Sequence, residues 1–260
     1  MSFKLGDIVV DRIQYGMATD FNENPLYVLT QLADATIETS AESKDATDAR
    51  GNLIKRFWQA KNGTFNATNA MLNLNILAAN SGSAANIASA SNPIEMPRLV
   101  SVKAGSTLTL RDAIEGTVTV NALANNGSMG KAYTKGTAAS ATEFGISGNT
   151  LTPPTDPEET QYIVKYKRNS KNGVAIVNKA EKFPDTVKLY LKVLCVDPCE
   201  ADTLRSATIV LHSFQPSPET TINLTTDGQL DYNGDLQVAY CVEDNPLYSI
   251  FFDPDDEEDI

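Results

Sequence analysis

Residues 35–83 read ATIETSAESKDATDARGNLIKRFWQAKNGTFNATNAMLNLNILAANSGS. Ala35–Ser40 alternates β-favouring side chains, which predicts a one-sided strand. Ala41–Asn52 is charged, contains turn formers and passes through Arg50-Gly51, the pattern of a long loop or a wide hairpin. Leu53–Ala60 resumes as a strand around Trp58, the only tryptophan. Asn62-Gly63 is a strong hairpin dipeptide, and Thr64–Ala67 reads as the next strand. Thr68 or Asn69 then offers an N-cap, and Ala70–Ala79 is rich in Ala, Leu and Met, which predicts a helix. Met71, Leu74, Leu77 and Ala78 share one helical face, although Leu72, Leu74 and Ile76 also fit a period of two.

Outward from this block the chain stays β-like. Ala84–Asn92 is a connector of small residues. Short β-type runs then recur at the spacing of an all-β barrel or sandwich. They are Arg98–Lys103, Ser106–Leu110, Thr117–Ala122, Glu143–Ser147, Thr150–Thr152, Gln161–Tyr166, Gly173–Val177, Thr186–Cys195, Ser206–Phe214, Thr220–Thr225, Leu236–Glu243 and Leu247–Phe252. Turn dipeptides at Gly148-Asn149, Asn172-Gly173, Asp227-Gly228 and Asn233-Gly234 punctuate them. In Val187–Val193 the Val and Leu side chains turn inward while Lys188, Tyr190 and Lys192 turn outward.

Over 260 residues, 42% are apolar, which suffices for a core. Lys and Arg number 21 against 33 Asp and Glu, a net charge of −12. That balance argues against a protein that grips nucleic-acid phosphates. No apolar run reaches membrane-spanning length, so no membrane partner is expected. The apolar patch Ile8–Val10 lies between Asp7 and Asp11 and does not read as a secretory core, which predicts synthesis and folding in the cytoplasm. Three cysteines are an odd number, and disulfides are not expected.

The charge is unevenly spread. Residues 161–192 hold 8 basic and 2 acidic side chains, whereas 193–260 hold Arg205 alone against 15 acids. The last eight residues, DPDDEEDI, are expected to form a solvated, mobile acidic tail at 253–260. It reads either as a solubility tail or as an arm that meets a basic neighbour. In the second case Asp255, Asp256, Glu257 and Glu258 would face Lys165, Lys167, Arg168 and Lys171 of another copy.

Chemistry is sparse. His212 is the single histidine. With Cys195, Cys199 and Cys241 it would complete a four-ligand zinc set, but C-x3-C is not the usual pair spacing. Asp231, Asn233 and Asp235 imitate the start of a calcium loop, yet Val242 stands where the bidentate acid belongs. His212-Ser213 lacks a nucleophile elbow. No phosphate-binding glycine loop appears. No catalytic, metal or cofactor residue is therefore assigned, and no cofactor is expected.

A resemblance enters at this point. Ala35–Ser83, with its charged loop ending in Asp48-Ala49-Arg50-Gly51, resembles the N-terminal signature of bacteriophage tail tube (major tail) proteins. Ser213–Gly228 and the strands after it are similar to their closing strands. The resemblance implies a mainly β fold, a β-barrel or sandwich with one flanking α-helix. It implies a non-enzymatic virion protein that joins copies of itself into stacked, hexameric rings, a tube that meets other tail proteins and conducts genomic DNA without binding it. Six copies at −12 each would carry −72 per ring, a lumen that repels phosphate. Residues 1–252 are expected to form one domain, with 93–160 as an elaboration on the outer wall. Glu42, Lys44, Asp45, Asp48 and Arg50 are the inter-ring loop candidates. The alternatives are a capsid decoration, a fibre-base protein or a β-sandwich adhesin. The last would need Tyr133, Tyr162 and Tyr166 exposed as a platform.

Overall fold

The computed structural model describes residues 8–124, 126–198, 203–225, 229–240 and 242–257, the last five of these as backbone only. The chain begins with β1 (Val9–Thr19), β2 (Pro25–Leu29), β3 (Leu32–Thr47), β4 (Leu53–Asn69) and α1 (Leu74–Asn80). Then come β5 (Asn86–Ile87), β6 (Ile94–Lys103), β7 (Leu108–Thr109), β8 (Thr119–Leu123), β9 (Met129–Gly136), β10 (Glu143–Ser147), β11 (Thr150–Thr152), β12 (Gln161–Ser170) and β13 (Val174–Ala175). It closes with β14 (Val187–Val196), β15 (Leu204–Pro216), β16 (Leu230–Leu236) and β17 (Tyr248–Glu257). The fold is mainly β with one helix, as expected. The chain divides into two compact units, residues 1–85 with 176–260, and residues 86–175. The stretch 93–160 falls inside the second unit.

In the first unit the strands run in the order β2-β1-β14-β15-β16-β4-β3, with β17 paired to β15. All neighbours are antiparallel. β1 also comes alongside β3, so the sheet nearly closes into a barrel. Val187, Leu189, Leu191 and Val193 enter the core as their alternation requires. Phe65, Phe214 and Tyr232 form its aromatic centre, with Phe65 edge-on to Phe214 at 5.7 Å and Phe214 tilted against Tyr232 at 5.4 Å. The Tyr232 hydroxyl would be stranded there, but Tyr27 Oη lies 2.7 Å away. Burial pushes the Tyr27 phenol up to about 12.

Two Asn-Gly steps that read as hairpin turns lie inside strands instead. Gly63 sits in β4 opposite Leu236, and a Cβ there would come within 2.9 Å of the Leu236 side chain. Gly234 sits in β16 opposite Phe65, where a Cβ would overlap the Gln215 carbonyl and the Phe214 ring. Glycine is selected at both places by close approach, not by turn geometry. Asp231, Asn233 and Asp235 are therefore strand residues of β16, not a cation loop. β16 replaces the strand expected at Leu236–Glu243, and Thr220–Thr225 contributes only an isolated bridge from Ile222 to Leu230.

The helix is shorter than expected. β4 runs on through Asn69, so neither Thr68 nor Asn69 is the cap. Asn73 caps α1, its Oδ1 accepting from the Asn75 and Ile76 N–H groups at 2.8 and 3.4 Å. Ile76 is buried in the core of the first unit.

The second unit has a sheet of order β6-β12-β8-β9-β10-β11-β7 and a separate β5–β13 pair. Only β9 and β10 run parallel. Its own core gathers Val120, Tyr133, Phe144, Leu151, Tyr162 and Val164. Tyr133 meets Tyr162 edge-on at 5.5 Å and donates to Asp156 Oδ2 at 2.9 Å. The hairpin at Gly148-Asn149 forms as read, with Gly148 at φ +57. Asn86 pairs with Ala175 in the β5–β13 ladder, so the unit begins and ends at adjacent points.

Candidate assembly site

β3 and β4 continue together beyond the barrel. From the Ser40–Asn62 pair to the tip the ladder runs about eight residues, an arm of about 25 Å. The stretch read as a long loop or a wide hairpin is thus a hairpin, mostly in register strands. Asp48 builds its tip. One carboxylate oxygen accepts from the Arg50 and Asn52 N–H groups, both at 2.8 Å, and the other from the Asn52 side-chain amide at 2.9 Å. Gly51, at φ +83 with open space around it, takes the left-handed turn that other residues resist. The Asp-Ala-x-Gly motif is therefore the arithmetic of one turn.

Below the tip, Arg56 grips Asp45 with two nitrogens at 2.8 and 2.9 Å. Asp45 faces Arg56 and Ser43 faces Trp58 across the ladder, which places Arg56 and Trp58 on one side of the arm. Lys44 faces Phe57 and Ala46 faces Lys55, which places Lys55 and Phe57 on the other, and the ladder is irregular at Ile54 before Thr47 meets Leu53. Both sides are wet. Ile54 is 69% exposed, Trp58 66%, Leu53 55% and Phe57 52%. Arg56 and Lys55 lie over the Trp58 and Phe57 rings at 5.7 and 5.2 Å, a contact that shields only one ring face each. Four large apolar side chains exposed on one projecting hairpin make it a candidate docking surface.

All five loop candidates lie on this arm and are exposed: Glu42, Lys44 and Asp45 in β3, Asp48 and Arg50 at the turn. Sequence reasoning placed Leu53, Ile54, Phe57 and Trp58 in a strand and did not single them out as contact residues. The signal was their spacing. Adjacent Phe57 and Trp58 put large apolar groups on opposite faces, whereas a half-buried strand alternates apolar with polar.

The arm reports on itself. The Asn52 side chain and then backbone N–H groups hold the Asp48 carboxyl below its usual 3.8, and Arg56 does the same for Asp45. Both residues are exposed. A lowered folded-state pKa gives stability that is present above the ordinary value and lost as the pH falls through the folded one. Emission from Trp58 is expected to stay constant from neutral pH down to about 4 and to change only in stronger acid. A titration centred above that point would contradict the turn chemistry.

A second feature concerns strand edges. Gly16–Thr19 of β1 pairs with β2, but among the described residues no hydrogen-bonded ladder joins the outer edge of Val9–Tyr15 to a further strand. Across the sheet, β17 pairs with β15 and, among the described residues, with no other strand. The segment β1-β14-β15-β17 therefore ends in two open edges. Val9 and Val10 are exposed on one, Ile250 and Phe251 on the other.

The basic stretch is divided, since the second unit ends at Ala175. Lys165 and Lys167 lie on the exposed face of β12, with Lys167 Nζ 3.3 Å from Glu95. Arg168 is half-buried and Lys171 is exposed. The acidic end does not begin where the strand was expected to stop. The backbone of 253–257, including Asp255 and Asp256, belongs to β17, and Glu257 aligns with Arg205. Glu258 lies outside the described residues.

The chemistry-bearing residues have structural employment. His212 Nε2 lies 2.8 Å from Ser249 Oγ, tying β15 to β17. Burial holds the imidazole below its usual pKa, and Lys188 adds to the shift. Cys195 is buried and its thiol donates to the Arg205 carbonyl at 3.5 Å, while Cys199 and Cys241 lie outside the described residues. Tyr133, Tyr162 and Tyr166 are buried in the second core, so they form no binding platform. No helix of the described residues is long and apolar enough to cross a membrane.

A barrel-like sheet with unpaired edges and an apolar-faced arm, with no metal-holding cluster of His, Cys, Asp or Glu among the described residues, suits a structural protein. The chain belongs to the YomU/Tube protein family, whose model matches residues 7–239. That description agrees with the tail-tube resemblance and points to a virion structural protein. No curated protein matches the chain.

Proposed function

We infer that copies of this protein assemble into stacked rings, six to a ring, forming a phage tail tube through which DNA is ejected. The observation that carries this reading is the arm, which exposes Leu53, Ile54, Phe57 and Trp58 to solvent on both faces. The arm reaches the adjacent ring and is buried there. Within a ring, β17 of one copy extends the sheet of the next by pairing with the free half of its β1. The strands β1, β14, β15 and β17 alternate in direction, so β17 meets the next β1 antiparallel and the alternation continues. Such a head-to-tail contact closes into a ring by rotation.

The second unit stands on the outer wall. It holds 9 Lys and Arg against 7 Asp and Glu, whereas the first holds 12 against 26. The acidity is thus concentrated in the unit that forms the tube, and the bore repels phosphate and lets a duplex slide. Lys165, Lys167, Arg168 and Lys171 meet acidic groups of neighbouring copies or other tail proteins.

Trp58, as the only tryptophan, makes the test direct. Its emission is expected to shift to shorter wavelength as purified protein polymerises, and Trp58→Ser is expected to raise the concentration needed for assembly. Polymers whose Trp58 emission equals that of the monomer would contradict the arm's role.

A further inference from the structure

Asn-Gly occurs four times, at Asn62, Asn126, Asn172 and Asn233. An asparagine followed by glycine is prone to lose ammonia, because the small residue lets its own backbone nitrogen reach the side-chain carbonyl carbon. The fold treats the four steps differently. Asn62 and Asn233 are locked in the β4 and β16 ladders. Asn233 Oδ1 also accepts from the Ala67 N–H at 3.2 Å. Asn172 is exposed, but Gly173 is wedged. Its carbonyl accepts from the Ala88 N–H at 2.8 Å, and Met96 and Ser170 fill the space that a Cβ would take there. A ring closing at that step has little room.

Asn126 is different in each respect. It is exposed at the turn between β8 and β9, and Gly127, at φ +81, has open space around it. Its Oδ1 accepts from the Ser128 N–H at 3.0 Å and from Ser128 Oγ at 2.7 Å. Those two donors point at the oxygen on which negative charge grows when the carbonyl carbon is attacked. That is the arrangement of an oxyanion hole in miniature.

We propose that Asn126 is a site of spontaneous deamidation, with Ser128 as the positioning residue. Hydroxide removes the Gly127 N–H proton, which is otherwise donated to the Ala124 carbonyl at 2.8 Å. The nitrogen attacks Cγ of Asn126 and the carbonyl electron pair moves onto Oδ1, where Ser128 holds it. Collapse breaks the Cγ–Nδ2 bond, and ammonia leaves with a proton from water. Water then opens the five-membered imide to aspartate or isoaspartate. One water enters and one ammonia departs, with no change of oxidation state. The product carries a new carboxylate at the β8–β9 turn.

The test is peptide mass mapping of the intact, folded chain held in mildly alkaline buffer. Asn126 is expected to gain about one mass unit first, Asn172 more slowly, and Asn62 and Asn233 only after unfolding. Ser128→Ala is expected to slow Asn126 by about threefold to tenfold, the range one neutral hydrogen bond gives, and Ser128→Thr to restore it. Asn172 in the same samples is the internal reference and keeps its rate. If Asn172 converts as fast as Asn126, or Ser128→Ala leaves the Asn126 rate unchanged, the proposal is overturned.

Discussion

Replacing Ala41–Lys61 with a two-residue Asn-Gly turn is expected to leave a folded protein that no longer forms tubes. Ser40 and Asn62 are ladder partners, so the shortened hairpin closes in the register that already exists. The removed residues contribute no buried side chain, so thermal unfolding of the barrel is expected to move little. Assembly is another matter. Each large apolar side chain that goes from water into a contact contributes about 1.5–3 kcal/mol. Losing even two of Leu53, Ile54, Phe57 and Trp58 therefore weakens association by at least about 100-fold. Sedimentation velocity separates the outcomes, since a monomer at concentrations where the parent polymerises supports the account. Normal polymers from the armless chain would remove its main support.

Excising Asn86–Ala175 is expected to have the opposite result, a large loss of mass with assembly retained. The two excised ends are cross-strand partners in the β5–β13 ladder, so their α-carbons lie about 5 Å apart and a short Gly-Ser link joins Ala85 to Ile176. Each unit has its own hydrophobic cluster, and neither cluster borrows a residue from the other. The excised chain is expected to melt cooperatively and to polymerise, and residues 86–175 expressed alone are expected to fold. An excised chain that aggregates without a melting transition would show that the first unit depends on the second.

The fold was legible where one local rule governs a residue. The inward Val and Leu of β14 announce themselves by alternation, and the arm's tip is written in Asp48 and Gly51. Reading failed where tertiary contact overrode the local signal. Gly63 and Gly234 look like turn residues, yet each is small because Leu236 or Phe214 presses on it. β9 was missed because MGKAYTKG places only Tyr133 in the core and is otherwise small or charged. β1 and β2 were missed because much of their apolar surface stays exposed, so no inward face declares itself. The arm was located by its charges, while its apolar contacts passed unnoticed. Exposed and buried apolar residues have the same letters, and only the register shows which face of the hairpin each one takes.

The central claim is that these sheets join copies into a hollow conduit. Negative-stain electron microscopy of the purified protein across a concentration series tests it most directly. The account predicts hollow cylinders of uniform diameter with a regular axial repeat, each repeat one ring. Solitary particles at every concentration, with no cylinder in any field, would contradict it.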